Sequence, residues 1–240
     1  MIFKNKWKIS GWLFVCIAGV WVASIISSCG KAPISNAQGL NIRYEVLNLS
    51  PDAFPVDLYI NFIISNTTPF SFNINQGYFF VPALDTPYLI RVHQPGGGGS
   101  LLASRSDILT RGTTYSLFIT GNVANKTLTT IFTVDTASLP AVGRGKVRFV
   151  NASPTGAGGI DVYANGVKAF NKILYPKYSD YIELPNGNYD FQLNTTGSAT
   201  ILQTLKNVSI QDGRLYTLYS YGYTNRVDSA AFNTAIITNR

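Results

Sequence analysis

Beyond the amino-terminal segment, apolar and polar residues alternate in short runs that are bounded by turn residues. In 160–165, Ile, Val and Ala alternate with Asp, Tyr and Asn, and in 189–194, Tyr, Phe and Leu alternate with Asp, Gln and Asn. This period of two is typical of β-strands with one buried face. Asn165–Gly166 predicts a two-residue hairpin, because both residues tolerate positive φ, and Asn186–Gly187 predicts another. No helical periodicity of useful length interrupts the pattern, so the sequence predicts an all-β protein.

The alternating region is a tandem duplication. Four pairs of segments match in the same order, at an offset that stays between 101 and 104 residues. The pairs are Asn48–Pro51 with Asn151–Pro154, Val56–Tyr59 with Ile160–Tyr163, Tyr78–Pro82 with Tyr181–Pro185, and Gly112 and Tyr115 with Gly213 and Tyr216. A period this long indicates tandem domains rather than a solenoid. We expect two β-sandwiches of about seven strands each, at 40–135 and 144–240, joined by a linker at 136–143.

The amino-terminal segment has the order of a secretory signal peptide. Three lysines within residues 4–8 precede an almost wholly apolar run, Gly11–Ile26, and then Ser27-Ser28-Cys29. The placement of the cysteine resembles a bacterial lipobox. The resemblance implies that residues 1–28 are removed, that Cys29 is acylated, and that 29–39 form a lipidated tether. The alternative is an uncleaved membrane anchor, although the apolar run is shorter than the roughly 20 residues a spanning helix needs.

Removal of residues 1–28 changes the cysteine content and the charge. The chain has two cysteines, Cys16 and Cys29, so the processed domains have no thiol for a disulfide, a metal site or a nucleophile. Three of the 19 basic residues and none of the 12 acidic residues are lost, which leaves a net charge of +4. The remaining basic residues are scattered, so we expect no nucleic-acid partner. Weak attraction to an anionic membrane or an acidic polysaccharide remains open.

Three tyrosines near the carboxyl end are candidates for a binding platform. Tyr219, Tyr221 and Tyr223 are spaced by two residues and would share one sheet face, whereas Tyr216 would lie on the other. If that face is exposed, it could stack on sugar rings or bind a partner. If it is buried, it is ordinary cross-strand aromatic packing.

Other polar residues have simpler interpretations. Asp57 and Asp161 are equivalent in the two repeats, but one carboxylate per repeat is far short of the about six to eight oxygens that calcium takes. We expect each to accept backbone N–H bonds from the preceding loop. The single histidine, His93, has no predicted nucleophile beside it, and Gly96–Gly99 lacks the Lys-Ser/Thr of a phosphate loop. The sequence predicts no catalytic residue, no metal and no cofactor.

Two tripeptides are candidates for modification. Asp135-Thr136-Ala137 and Asp228-Ser229-Ala230 resemble the Asp-Ser/Thr-small apolar acceptor motif for O-glycosylation of exported Bacteroidetes proteins. The resemblance implies glycans on Thr136 and Ser229.

Residues 146–223 resemble a secreted bacterial family known as domain of unknown function 4397. The matching features are Asn-Ala-Ser-Pro, Ile-Asp-Val-Tyr, a Leu-Pro-Asn-Gly-Asn-Tyr hairpin and Asp-Gly-Arg-Leu-Tyr. The first repeat resembles a diverged member, with Asp52 in place of Thr155 and a longer turn at Ala83–Pro87. The resemblance implies immunoglobulin-like sandwiches and residence in the envelope or outside the cell. It carries no catalytic residues.

Together these features predict a lipoprotein of the bacterial cell envelope, held at the outer membrane through the lipid on Cys29. Gly30 does not resemble the aspartate that retains lipoproteins at the inner membrane. Gly30–Pro33 lacks an acidic pair that resembles a surface-export tag, so the periplasmic or surface face stays open. We expect a non-enzymatic binding or adhesion module for a polysaccharide or an envelope protein. The alternative is a structural spacer or scaffold facing the periplasm, and an uncharacterised hydrolase is the third hypothesis.

Overall fold

The computed structural model describes residues 41–60, 62–82, 88–155 and 158–239. These ranges hold seventeen strands in four sheets and no helix, which confirms the predicted all-β class. The predicted signal peptide, Cys29, the tether and the turn at Ala83–Pro87 lie outside the described residues.

The first repeat is a sandwich of two four-stranded sheets. Its strands are β1 (Asn41–Asn48), β2 (Val56–Ile60), β3 (Ile63–Ile64), β4 (Phe79–Pro82), β5 (Tyr88–Val92), β6 (Leu101–Arg105), β7 (Thr114–Thr120) and β8 (Thr129–Val134). One sheet has the order β4-β1-β7-β8 and the other has the order β3-β2-β5-β6. Strands β1 and β7 are parallel, and the other pairs are antiparallel.

The second repeat has the same arrangement. Its strands are β9 (Arg144–Asn151), β10 (Ile160–Ala164), β11 (Val167–Ile173), β12 (Lys177–Tyr178), β13 (Ile182–Pro185), β14 (Gly187–Thr195), β15 (Ile201–Ile210), β16 (Leu215–Tyr221) and β17 (Asn233–Thr238). One sheet has the order β12-β9-β16-β17, with β13 also paired to β9, and the other has the order β11-β10-β14-β15. Two packed sheets per repeat are the layers of an immunoglobulin-like sandwich.

Each sandwich encloses its own apolar core, supplied by alternate residues of facing strands. In the first, Tyr44 and Val46 of β1 face Leu58 of β2. In the second, Phe149 of β9 lies at the position equivalent to Val46, and Val162 of β10 lies at the position equivalent to Leu58. The period of two in the sequence therefore identified the buried face of these strands.

The two predicted Asn-Gly hairpins have different outcomes. Asn165 and Gly166 have φ values of 49° and 81° and join β10 to its antiparallel neighbour β11, as predicted. The hairpin expected at Asn186–Gly187 is wrong. Strand β13 pairs with β9 in one sheet and β14 pairs with β10 in the other, so this connection crosses between the sheets.

A third apolar cluster joins the two sandwiches. The face of β1 and β7 that points away from the first core contributes Leu47 and Phe118, and the matching face of β9 and β16 contributes Val150 and Tyr219. Leu47 matches Val150 and Phe118 matches Tyr219 between the repeats, so equivalent faces pack together. Both sandwiches belong to one compact unit.

Candidate functional site

Two of the three tyrosines predicted to form a platform are buried between the sandwiches. Tyr219 and Tyr221 on β16 are 4% and 5% exposed. The ring of Tyr219 packs against Phe118 of β7, with the centroids 5.7 Å apart. Because this face of β16 covers the first repeat, these two rings are not available to stack on a sugar, and the packing alternative describes them. Tyr223 lies beyond the strand and is partly exposed, and Tyr216 lies on the opposite face, in the second core.

A buried ion pair lies beside this apolar contact. The guanidinium of Arg148 on β9 donates a hydrogen bond to the carboxylate of Asp135, which follows β8. Arg148 also donates to Thr133 Oγ1 at 2.9 Å and to the Val134 carbonyl at 2.8 Å. Its guanidinium carbon lies 4.9 Å from the centroid of the Tyr181 ring. A fully desolvated charge is tolerated when it is paired and hydrogen-bonded, so these bonds fix how the two sandwiches meet.

Further polar side chains complete this buried network. Asp135 Oδ2 accepts hydrogen bonds from the hydroxyls of Tyr78 and Ser116, both at 2.6 Å. Asn239, from the second repeat, donates to the Tyr78 hydroxyl oxygen at 2.7 Å. Burial and the neighbouring Asp135 carboxylate raise the pKa of Glu45, on β1, to about 7. The side chains span both repeats, which makes the network structural rather than an open site.

A cleft of about 240 Å³ adjoins the network and includes one predicted modification site. Arg43, Thr114, Thr136 and Asn239 are among its lining residues. Thr136 is exposed, and its hydroxyl oxygen accepts a hydrogen bond from the Thr114 backbone N–H at 2.8 Å. Ser229, the second predicted acceptor, is also exposed, in the segment between β16 and β17. Glycosylation of Thr136 and Ser229 stays a prediction.

The equivalent aspartates of the two repeats hold their hairpins together. Asp161 accepts hydrogen bonds from Lys168 Nζ at 2.7 Å and the Lys172 backbone N–H at 2.8 Å. Burial opposes its ionisation, but these bonds lower the pKa of Asp161. Asp57 contacts Asn66 Nδ2 at 2.9 Å and His93 Nδ1 at 2.8 Å. The expected partners in the preceding loop were wrong, because both carboxylates bind groups that come later in the chain.

A second cleft, of about 290 Å³, lies in the first sandwich where the edge strands β3 and β4 border the opening between its sheets. We call it the β3–β4 cleft. It combines aromatic rings, amide groups and hydroxyl groups. Its lining residues are Ser65, Asn66, Thr67, Phe70, Gln76, Gly77, Phe79 and Phe80.

The walls of the β3–β4 cleft are held by the fold. The ring of Phe79 packs against that of Phe70, with the centroids 5.7 Å apart, and so belongs to the edge of the core. Gln76 Nε2 donates to the Pro69 carbonyl at 2.7 Å, and Asn66 Nδ2 donates to the Thr68 carbonyl at 3.1 Å. These bonds restrict the two carboxamides before any ligand arrives. Phe80, by contrast, is 59% exposed.

Aromatic, carboxamide and hydroxyl side chains line the β3–β4 cleft. Within 41–60, 62–82, 88–155 and 158–239, no group of three or more His, Cys, Asp or Glu side chains is placed to hold a metal ion. The same ranges contain no helix with the length and hydropathy needed to span a membrane. A pocket with a few fixed polar groups among apolar walls is suited to holding a small ligand.

The fold and its two repeats define the chain as a tandem all-β sandwich protein. The family model described as Domain of unknown function (DUF4397) matches residues 43–158 and again 155–239. The chain therefore belongs to this family, with two tandem copies. A search of the curated proteins found no match.

The sequence reasoning missed both the buried network and the β3–β4 cleft. A partial signal for the network was present on the strand faces opposite the two cores. There, the charged Glu45 and Arg148 are each followed two residues later by an apolar residue, Leu47 and Val150, which departs from a polar outer face. The cleft gave no comparable signal, because its residues come from segments on two different sheets.

Proposed function

We propose that this chain is a lipid-anchored cell-envelope protein that acts as a non-enzymatic binding module for a glycan. The observation that carries the proposal is the β3–β4 cleft, where the exposed ring of Phe80 lies among the carboxamide of Gln76 and the hydroxyl groups of Ser65 and Thr67. A sugar ring presents an apolar C–H face and a rim of hydroxyl groups. An aromatic ring next to amide and hydroxyl side chains matches both.

The lipid anchor is the second part of the proposal, and its support is the sequence. A basic start, an apolar run and Ser27-Ser28-Cys29 form the pattern of a lipoprotein signal. Two or more acyl chains on Cys29 would be enough for stable attachment to a membrane. The glycan would then be held at the envelope, on the periplasmic or the surface side.

Binding is tested by affinity electrophoresis in gels that contain polysaccharide extracted from bacterial envelopes. Phe80→Glu is the sharpest variant, because glutamate is the residue at the equivalent position of the second repeat, Glu183. We expect the variant to bind at least about tenfold more weakly, which corresponds to about 1.4 kcal/mol. Val227→Glu is the matched control and should bind as the wild type does, because Val227 is an exposed apolar residue that does not line the cleft. Equal retardation of wild type and Phe80→Glu would contradict a glycan site in this cleft.

The anchor is tested separately by intact-mass analysis of the protein purified from a bacterial host that processes lipoproteins. The expected mass is that of residues 29–240 plus acyl chains, and Cys29→Ser should abolish this processing. The same spectrum tests the predicted glycans on Thr136 and Ser229, since a mass of lipid and peptide alone excludes them. External protease on intact cells, with a periplasmic marker, then determines which face the protein occupies.

A structural spacer is the second candidate, and the continuous packing between the sandwiches favours it. The apolar cluster and the Arg148–Asp135 pair would hold the two repeats as a rigid post. A spacer needs no ligand. If no envelope polysaccharide retards the wild-type protein in affinity electrophoresis, that result favours the spacer over the binding module.

A further inference from the structure

The tip of the β2–β3 hairpin has an unusual backbone conformation. Phe62 lies between strands β2 and β3 and has a φ of 64°. The equivalent hairpin of the second repeat has Gly166 at this place, with a φ of 81°. Glycine has no side chain to oppose positive φ, whereas for a bulky residue this conformation is a genuine outlier. The first repeat therefore accepts backbone strain to keep a phenylalanine at its hairpin tip.

The same tip exposes its apolar side chains. Phe62 is 87% exposed and the next residue, Ile63, is 70% exposed. Neither the strain nor the exposure benefits the folded body alone, since the ring packs against little of it. Strain that persists at a surface residue is a reason to ask what that residue contacts.

The position of this tip in the sandwich indicates what it contacts. Asn48, at the end of β1, donates to the Phe54 carbonyl at 2.9 Å, so the end of β1 lies beside the start of β2. Since the two strands lie in facing sheets of one sandwich, the start of β1 at Asn41 is then at the same end as the tip. The hydroxyl contact of 2.9 Å between Tyr44, on β1, and Tyr88, whose backbone pairs with the last residue of β2, agrees with this.

The chain that enters at Asn41 leads back to the proposed lipid. Eleven residues, 30–40, separate Cys29 from Asn41, and they can span at most roughly 40 Å when fully extended. We propose that Phe62 and Ile63 insert into the membrane interface as a second contact beside the acylated Cys29. This inference rests on the lipid anchor of the proposed function. It assigns the hairpin tip a partner, the lipid surface, that the tether holds within reach.

Such a contact would mainly orient the first sandwich on the membrane and would add less to the affinity of the protein for the membrane. Acyl chains alone keep the protein at the membrane, but a long tether leaves the body free to rotate. An apolar tip buried at the boundary between headgroups and acyl chains would hold the first sandwich upright. Gln76 and Gly77 of the β3–β4 cleft would then lie farther from the bilayer than Asn41 does, because they precede β4 and β4 runs toward the end that carries Asn41.

Tryptophan fluorescence tests this inference directly. The chain has three tryptophans, Trp7, Trp12 and Trp21, and all are removed with residues 1–28. Phe62→Trp therefore places a single reporter in the processed protein. The lipidated protein is reconstituted in phosphatidylethanolamine–phosphatidylglycerol vesicles, with or without bromine atoms on the acyl chains, which quench tryptophan at close range. We expect the brominated vesicles to quench the fluorescence of Phe62→Trp at least about twofold.

Phe54→Trp is the matched control. Phe54 is also an exposed phenylalanine (73%) with positive φ (56°), but it lies at the opposite end of β2. Its fluorescence should be unchanged by bromination. Ile63→Trp is a second reporter at the tip, in case the Phe62 variant does not fold.

The outcomes separate this inference from the proposals on which it depends. Quenching at the tip and none at Phe54→Trp supports insertion. No quenching at either tip position, or equal quenching at Phe54→Trp, overturns insertion while the intact mass still supports the anchor. A mass without acyl chains overturns the anchor and this inference with it. Glycan binding by the β3–β4 cleft is measured in gels without membranes, so its failure is distinguishable from both.

Discussion

At the scale of single residues, the contact between the repeats depends on a few buried polar side chains. Arg148 and Asp135 are buried charges from different repeats that satisfy each other. Their hydrogen bonds require one arrangement of the two sheets, whereas apolar packing alone tolerates small shifts. The contact therefore has a specific geometry as well as an apolar area.

We predict that Arg148→Ala lowers the free energy of unfolding by about 3–5 kcal/mol, because it leaves the Asp135 carboxylate buried without its cation. Asp135→Asn should also destabilise the protein. The double variant should cost clearly less than the sum of the two single variants, since neither charge is then left alone. Urea unfolding of the wild type, the two single variants and the double variant measures the four free energies of this double-mutant cycle. Additive costs would show that the pair does not interact as the structure describes.

Glu45 predicts a specific dependence of stability on pH. Its pKa is raised from the usual glutamate range to about 7, chiefly by burial, so between those values the folded protein binds a proton that the unfolded chain does not. Protonated Glu45 thus favours folding at low pH, and this contribution is lost as the pH rises through about 7. The shift corresponds to roughly 3 kcal/mol.

The variant Glu45→Gln removes this titration. Relative to wild type, it should gain stability progressively as the pH is raised from 4 to 8, by up to roughly 3 kcal/mol. Urea unfolding of both proteins across that range measures the difference. A difference that does not vary with pH would contradict the account of Glu45.

At the scale of elements, the β2–β3 hairpin offers a test in which stability and function separate. Phe62→Gly should raise the free energy of unfolding by about 1 kcal/mol, because glycine relieves the positive-φ strain and little packing is lost. Gly166→Ala, at the equivalent tip of the second repeat, should have the opposite effect. Thermal unfolding of the two variants provides the comparison. A destabilised Phe62→Gly protein would mean that the ring packs on the body.

The sequence predicted individual strands and one hairpin better than it predicted how the strands pair. Alternation identified the buried faces of β10 and β14, and Asn165–Gly166 identified its hairpin, because both are local patterns. Asn186–Gly187 is chemically the same signal, yet it joins strands in different sheets. Which strands pair is decided by contacts far along the chain, such as the parallel pairing of β1 with β7. The β3–β4 cleft depends on those long-range pairings, so no local pattern indicated it.

At the scale of the whole molecule, the two repeats form one compact unit and share an apolar cluster, so they are not independent domains joined only by a linker. The tyrosines of β16 illustrate why the sequence left their role open. Spacing places Tyr219 and Tyr221 on one face, but only the approach of the other repeat determines that this face is covered.

We predict that the two sandwiches unfold in a single cooperative transition. A tryptophan introduced at Phe132, beside the first core, and another at Phe232, beside the second, report on each repeat separately in the processed protein, which otherwise has none. The two urea transitions should coincide, because the shared cluster and the buried ion pair couple the repeats. Transitions at clearly different urea concentrations would indicate that the repeats are independent.

Hydrogen exchange tests whether the β3–β4 cleft binds a glycan. Exchange of backbone amides is measured on the purified lipoprotein with and without envelope polysaccharide that retards it in gels. We expect slower exchange in residues 65–67 and 76–80, the segments that supply most of the cleft lining, and unchanged exchange in 179–183, which corresponds to 76–80 in the second repeat. Protection confined to another part of the molecule, or no protection at saturating polysaccharide, would contradict it.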